Sequence, residues 1–160
     1  MLSYARGIPN MKPSSENNKF WQRKNLFELT QKEWESLCDG CGKCCLHKIE
    51  DEDTGEYFGT RVHCKLFDPR SCRCQNYRKR RQIVRDCVVL TPKKVYQLEW
   101  LPKTCAYRLL SEGQDLYDWH PLVSGNPDSV HRAGISVKGK NLVSEETAGD
   151  LANFVDHSLS

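Results

Sequence analysis

The stretch Cys38-Asp39-Gly40-Cys41-Gly42-Lys43-Cys44-Cys45 places four cysteines within eight residues. Its first part, C-x2-C-G, has the form of a metal knuckle, in which two thiolates reach one ion and glycine lets backbone N–H groups turn toward the sulfurs. The third cysteine extends the spacing to C-x2-C-x2-C, by which bacterial ferredoxins supply three ligands to an iron–sulfur cluster. The usual Cys-Pro ending is missing. Because adjacent side chains project differently, we expect Cys44 and Cys45 to serve different metals or partners.

Five further cysteines lie downstream and complete a set of nine. These thiols are enough for two four-coordinate sites or for one cluster with spare ligands. The predicted metal ligands are Cys38, Cys41, Cys44, Cys45, Cys64, Cys72, Cys74, Cys87 and Cys105. Cys105 has the alternative of being an inert buried thiol, and His47 and His63 could replace a thiol. All-cysteine ligation suits zinc and iron–sulfur clusters alike, and the ferredoxin-like spacing slightly favours iron–sulfur.

The composition explains why metal would matter to this fold. The chain has 160 residues, of which 38% are hydrophobic, and a mean hydropathy of −0.68. A small core leaves a stability gap that metals or disulfides usually close. We predict a small, loop-rich α+β domain, stabilised by its cysteines and metal, with several short helices and a few short strands. Residues 1–18 are polar and rich in Pro, Ser and Asn, which predicts a disordered tail before a single domain over residues 19–160.

Whether these cysteines bind metal or form disulfides depends on the cellular compartment of the protein. The first residues have no apolar h-region, and no stretch approaches the roughly 18 apolar residues of a membrane span. We therefore expect a cytoplasmic protein with no membrane partner. In a reducing cytosol, clustered cysteines are more often metal ligands or redox groups than structural disulfides.

Local patterns place the cysteines on expected elements. Thr30 followed by Glu33 is a capping box, and the apolar spacing that follows predicts a helix that ends near Cys38, where glycines begin. Alternation from Val62 to Leu66 predicts a short strand that carries Cys64. Cys72 and Cys74 lie two positions apart, so both thiols would point to the same side of an extended segment.

The whole pattern resembles a known family. The motif CDGCGKCC, followed by CKL at 64–66, by CRC at 72–74 and by a cysteine at 87, is similar to the CxxCxxCC (YkgJ-like) domain family, described as chelating zinc or iron. The segments at 20–56 and 99–122 resemble its functionally uncharacterised YcgN-type group. The resemblance implies one CxxCxxCC metal-binding domain over residues 19–160. Cys72 and Cys105 match only the narrower group, and the family's Ile-Tyr-x-x-Arg-Pro is replaced here by Asn76-Tyr77-Arg78-Lys79-Arg80-Arg81.

The favoured function is a metal-binding protein that acts as a carrier, a redox partner or a scaffold. One alternative is a zinc-stabilised nucleic-acid binder that uses the basic segment 70–85, although arginines beside a thiolate cluster are expected on electrostatic grounds alone. Another is a metal-dependent enzyme of unknown reaction. The chain has no Walker, nucleotide-binding, nucleophile-elbow or H-E-x-x-H motif, so we lean against an enzyme and name no catalytic residue. The metal ion is the expected partner, with a protein partner open and nucleic acid not favoured.

Overall fold

The computed structural model describes residues 19–160, and the disordered tail predicted for residues 1–18 lies outside them. The fold is α+β, as predicted, and every α-helix described is four to six residues long. The α-helices are α1 (Phe20–Arg23), α2 (Gln31–Ser36), α3 (Arg80–Ile83), α4 (Pro92–Val95), α5 (Ala106–Ser111), α6 (Pro121–Ser124), α7 (Ser129–Arg132) and α8 (Glu145–Ala148). Single 3₁₀ turns occur at Leu26–Glu28, Lys43–Cys45, Leu151–Phe154 and His157–Leu159. None of the helices within residues 19–160 has the length and apolar character to cross a membrane.

Two small sheets carry the strands. The strands are β1 (Leu46–Glu50), β2 (Tyr57–His63), β3 (Phe67–Asp68), β4 (Arg73–Cys74) and β5 (Val143–Ser144). The first sheet has the order β1-β2-β5, with β1 antiparallel and β5 parallel to β2, and the second is the antiparallel pair β3-β4. In the acidic turn between β1 and β2, the Asp51 carboxylate accepts the N–H groups of Asp53 and Thr54, each at 2.9 Å.

Two separate hydrophobic clusters flank the cysteine motif. The first includes Leu37 and is built by residues around α2, α4 and α5. The second includes Leu46 and packs β1 and β3 against Val137 and the last 3₁₀ turn. Since Leu37 and Leu46 are the residues immediately before and after the motif, residues 38–45 run from one cluster to the other, and both ends of the motif are anchored by burial.

The capping box at the start of α2 is confirmed, and the end of that helix comes early. The Thr30 hydroxyl accepts the N–H of Glu33, and the Glu33 carboxylate accepts the N–H of Thr30 at 2.9 Å. The helix ends at Ser36 rather than near Cys38. Gly40 and Gly42 have φ of 77° and 78°, so the chain beyond the helix is a left-handed loop and the first two motif cysteines lie off the helix face.

Two strand predictions were wrong in detail. Strand β2 ends at His63, and Cys64 begins a turn that the N–H of Phe67 closes on the Cys64 carbonyl at 2.9 Å. Cys72 is not extended, because its φ is 58°, and it is the one non-glycine residue of the described part of the chain in the left-handed region. The thiols of Cys72 and Cys74 are therefore not related by strand alternation.

Candidate metal centre

One cavity of about 1020 Å³ gathers every cysteine of the chain. The thiols come from the motif, the turn after β2, the turn between β3 and β4, strand β4, the loop after α3 and the N-cap position before α5. They are Cys38, Cys41, Cys44, Cys45, Cys64, Cys72, Cys74, Cys87 and Cys105, and all are free. Residues separated by up to 67 positions in the sequence therefore share one chamber.

Backbone N–H groups face several of these sulfurs, as the knuckle predicts. The N–H of Leu66 donates to Cys64 Sγ at 3.5 Å. Burial raises the pKa of Cys38 to about 12, with a smaller rise from the Cys44 thiolate, and the N–H of Gly40 opposes the rise. In each case the donor lies two residues after the cysteine. These donors stabilise a thiolate, which is the form that binds a metal.

The thiols crowd one another. Burial raises the pKa of Cys44, and it raises the pKa of Cys45 to about 12, where the charge of the Cys44 thiolate adds to the rise. Burial likewise raises the pKa of Cys41 and of Cys105. Neighbouring thiolates repel one another, and a bound metal ion in place of their protons would offset that repulsion.

The mutual influences form two overlapping groups. After the larger effect of burial, the charge of the Cys44 thiolate raises the pKa of Cys38, Cys41 and Cys105, and the charges of Cys74 and Cys87 raise the pKa of Cys45 and Cys64. The first group is therefore Cys38, Cys41, Cys44 and Cys105, and the second is Cys45, Cys64, Cys74 and Cys87. Charge also acts between the groups, from Cys44 on Cys45 and from Cys87 on Cys44. The groups meet at consecutive residues of the motif, Cys44 and Cys45, whose side chains were expected to serve different centres.

Cys72 differs from the other eight. Its thiol donates to the Cys41 carbonyl at 3.4 Å, and it is buried in the second hydrophobic cluster beside Phe67 and Val137. Burial raises its pKa, and the N–H groups of Val137 and Lys138 oppose that rise. Its role as a metal ligand stays a prediction, and packing under the motif is the competing interpretation.

A half-buried lysine, which the sequence reasoning missed, supplies positive charge to the wall of the cavity. Lys48 Nζ donates to the carbonyls of Lys43 and Leu46 at 2.9 and 2.8 Å, and it lies 4.8 Å from the centroid of the Trp100 ring. Burial lowers its pKa, whereas thiolates, Cys44 first, favour its charged form. No motif marks such a residue, because its contact with Trp100 joins segments that are far apart in the sequence.

The two nearby histidines have other partners. His47 Nε2 lies 2.6 Å from Glu145 Oε2, and the same carboxylate accepts the N–H of Lys65 at 2.8 Å. His63 Nδ1 lies 2.8 Å from the Cys64 carbonyl, and His63 is not part of the cavity wall. His47 does line the cavity, so its ligation stays a prediction.

The basic segment is divided between roles. Arg73 lines the cavity, where its charge opposes the rise in the pKa of Cys38. The guanidinium of Arg80 lies 3.8 Å from the centroid of the Tyr77 ring and donates to the Tyr77 carbonyl at 2.6 Å. Most of the remaining basic side chains are exposed. These two arginines fit the electrostatic interpretation of the segment, and nucleic-acid binding stays a prediction.

His120 bonds to the backbone of Leu37, the residue immediately before the motif. The side chain is 1% exposed, its Nε2–H donates to the Leu37 carbonyl at 2.9 Å, and its Nδ1 accepts the N–H of Leu122 at 3.0 Å.

We expect His120→Leu to lower the free energy of unfolding by about 2–4 kcal/mol, because two buried backbone groups lose their partners. Urea denaturation measures it. The exposed His157 is the control, with a loss below about 1 kcal/mol expected for His157→Leu. Equal losses would contradict this role.

Related proteins share the chain almost end to end. A UPF0260 protein from Rhizorhabdus wittichii is 60% identical over 141 residues, which is 88% of this chain and 96% of the relative. UPF0260 proteins from Brucella canis and Caulobacter vibrioides are each 56% identical over 88% of this chain, covering 93% and 88% of their own lengths. The family model CxxCxxCC, described as "Putative zinc- or iron-chelating domain", matches residues 37–106.

This chain belongs to the CxxCxxCC family. Its curated relatives are UPF0260 proteins, and the resemblance drawn from the motif is confirmed. The matched span holds all nine cysteines, which are the residues that line the cavity. No solved structure matches the chain.

The donor chemistry of the site fits a metal of the kind that the CxxCxxCC description names. Nine thiols, N–H groups facing sulfur and a buried carboxylate oxygen without a partner line one chamber. Within residues 19–160, no three His, Cys, Asp or Glu side chains converge closely enough to be recognised as the ligands of one ion. The thiols are therefore assembled around the chamber rather than about a single point.

Proposed function

We propose that the protein holds an iron–sulfur cluster or zinc through its cysteine cavity and acts as a carrier, a redox partner or a scaffold. One observation carries this proposal: all nine cysteines line the same cavity. A cysteine that only packs in a hydrophobic core does not need other thiols near it, whereas soft metals and iron–sulfur clusters are bound by groups of thiolates.

The ligands would divide between two centres. Cys38, Cys41, Cys44 and Cys105 would hold one, and a second set would hold the other, with Cys72 packing beneath the motif. The second set is Cys45, Cys64, Cys74 and Cys87. Four thiolates satisfy a tetrahedral zinc ion or one iron–sulfur cluster.

Iron–sulfur remains slightly favoured over zinc. The C-x2-C-x2-C spacing of the motif supports it, and so does a cavity of about 1020 Å³, which is far more space than a single ion requires. When bound, a cluster would supply one-electron chemistry, whereas zinc would supply structural cross-linking. The positive charges of Lys48 and Arg73 would stabilise the thiolate ligands of either an iron–sulfur cluster or a zinc ion. The cytoplasm, where such thiols stay reduced, is the proposed location.

Metal loading should release protons. Because burial raises the pKa of Cys41, Cys45 and Cys105, these thiols are protonated at neutral pH in the metal-free chain, and each must lose its proton to become a ligand. Affinity should therefore fall as the pH falls. Up to about four protons should leave for each zinc ion added, since four thiols would complete a tetrahedral site. Zinc titration of the metal-free chain, in buffers of different ionisation enthalpy, counts them.

That titration also tests the proposed function itself. A chain that binds zinc tightly and releases protons supports thiolate ligation. Zinc uptake without proton release would place the metal on surface carboxylates and histidines. No uptake by folded, reduced protein would contradict the proposal.

A further inference from the structure

Asp39, between the first two motif cysteines, carries an unexplained oxygen. The side chain is 8% exposed and lines the cavity. Its Oδ1 accepts the N–H of Cys41 at 2.9 Å, which fixes the carboxylate in place. Its Oδ2 is buried and has no hydrogen-bond partner within the described residues.

A carboxylate oxygen in this situation is costly. Burying an unpaired polar group costs on the order of 1–3 kcal/mol, and more when the group is charged. The packing of the motif holds Oδ2 there nonetheless, because Leu37 and Leu46 bury both ends of the stretch that carries it. Oδ2 of Asp39 is thus fixed, buried and unpaired beside thiols, and a bound cation would supply the partner that it does not have.

The surroundings of Asp39 are the first group of thiols. Its negative charge disfavours ionisation of Cys41, Cys38 and Cys44, after the larger effect of burial on each. It influences Cys105 in the same way. Neither Lys43 nor Lys48 bonds to Oδ2, and Lys48 donates to two backbone carbonyls instead. The carboxylate is therefore close enough to these four thiols for its charge to act on each of them.

We propose that Asp39 Oδ2 is an oxygen ligand of the metal centre that the first group of thiols holds. This inference rests on the proposed function, because it needs a metal in the cavity. The centre then has a mixed sulfur and oxygen donor set rather than thiolates alone. A carboxylate is a weaker partner for soft metals than a thiolate, so this position of the centre is the one most readily exchanged.

X-ray absorption at the edge of the metal that the anaerobically isolated protein holds tests the assignment. We expect a metal–oxygen shell near about 2.0–2.2 Å beside the metal–sulfur shell near about 2.3 Å. Asp39→Ser should lose the oxygen shell and keep the sulfur shell, because a serine hydroxyl still reaches the N–H of Cys41 but supplies no second oxygen. Competition with a chelator should show metal affinity about tenfold weaker or more.

The matched control is Asp51→Ser. Asp51 makes the same bond to the N–H two residues on, at 2.9 Å, but it lies in the exposed turn after β1 and away from the cavity. We expect it to leave both shells and the affinity unchanged. If Asp39→Ser does not fold, Asp39→Asn keeps the shape of the side chain and should weaken the metal–oxygen shell.

The outcomes separate the two proposals. An all-sulfur shell in the unaltered protein would overturn the role of Asp39 while leaving the cysteine centre intact. An oxygen shell that persists unchanged in Asp39→Ser would do the same. Folded, reduced protein that takes up no metal would instead overturn the proposed function, and the inference about Asp39 with it.

Discussion

Cys41→Ser is expected to remove bound metal and stability together. Cys41 is buried between the two hydrophobic clusters, and the N–H of Lys43 favours its ionised form against the larger effect of burial. Serine keeps the size of the side chain but is a poor ligand for soft metals. Because metal binding is linked to folding, the free energy of unfolding should fall with the metal content. We expect metal affinity about a hundredfold weaker or more, measured by chelator competition alongside thermal unfolding.

Cys72→Ser provides the matched comparison. This cysteine is also buried, but its thiol donates to the Cys41 carbonyl, which a serine hydroxyl can do as well. We expect its metal content to equal that of the unaltered protein, with a moderate loss of stability from the polar atom placed beside Phe67 and Val137. Equal loss of metal in both variants would return Cys72 to the ligand set. Full metal content in Cys41→Ser would remove the motif from it.

Gly42→Ala is expected to destabilise the fold far more than Gly40→Ala. Both glycines have a left-handed φ, which costs an alanine about 1–2 kcal/mol. At Gly42 the added Cβ would also lie 2.7 Å from Cys72 Sγ and 2.8 Å from both Phe67 Cζ and Val137 Cγ2. Overpacking of this kind costs about 1–3 kcal/mol more. The free energy of unfolding should therefore fall by about 2–5 kcal/mol, measured by urea denaturation.

Gly40 isolates the backbone part of that effect. A Cβ at Gly40 would meet no atom within 4 Å, so Gly40→Ala should cost only the conformational penalty. If the two variants lose the same stability, the close packing of Cys72 beneath the motif does not contribute. If Gly42→Ala loses much of its metal but little stability, the conformation of this loop matters more for positioning the metal ligands than for packing the hydrophobic core.

The sequence was most informative where local chemistry decides. The capping box of Thr30 and Glu33 and the loop at Gly40 and Gly42 are both present, because each depends on a few adjacent residues. The nine cysteines were likewise named from residue type and spacing, and the fold brings them to one cavity.

What the sequence missed depends on contacts between distant segments. Lys48 acquires its role only when β1 folds beside the motif, and the cavity wall that contains Cys105 exists only once α5 packs near α2. Cys72 was expected in an extended segment, but its left-handed backbone fits it beneath Gly42, a contact between residues 30 positions apart. Asp39 was passed over because its unpaired oxygen is visible only when the burial around it is known.

The most direct test of the metal centre is the metal and sulfide content of untagged protein purified without oxygen, with a visible absorption spectrum on the same sample. The nine-thiol cavity predicts stoichiometric metal. Brown protein with iron and matching sulfide would establish an iron–sulfur centre, and colourless protein with zinc would establish a structural site. Folded protein with free thiols and neither metal would contradict the proposal that these cysteines form a metal centre.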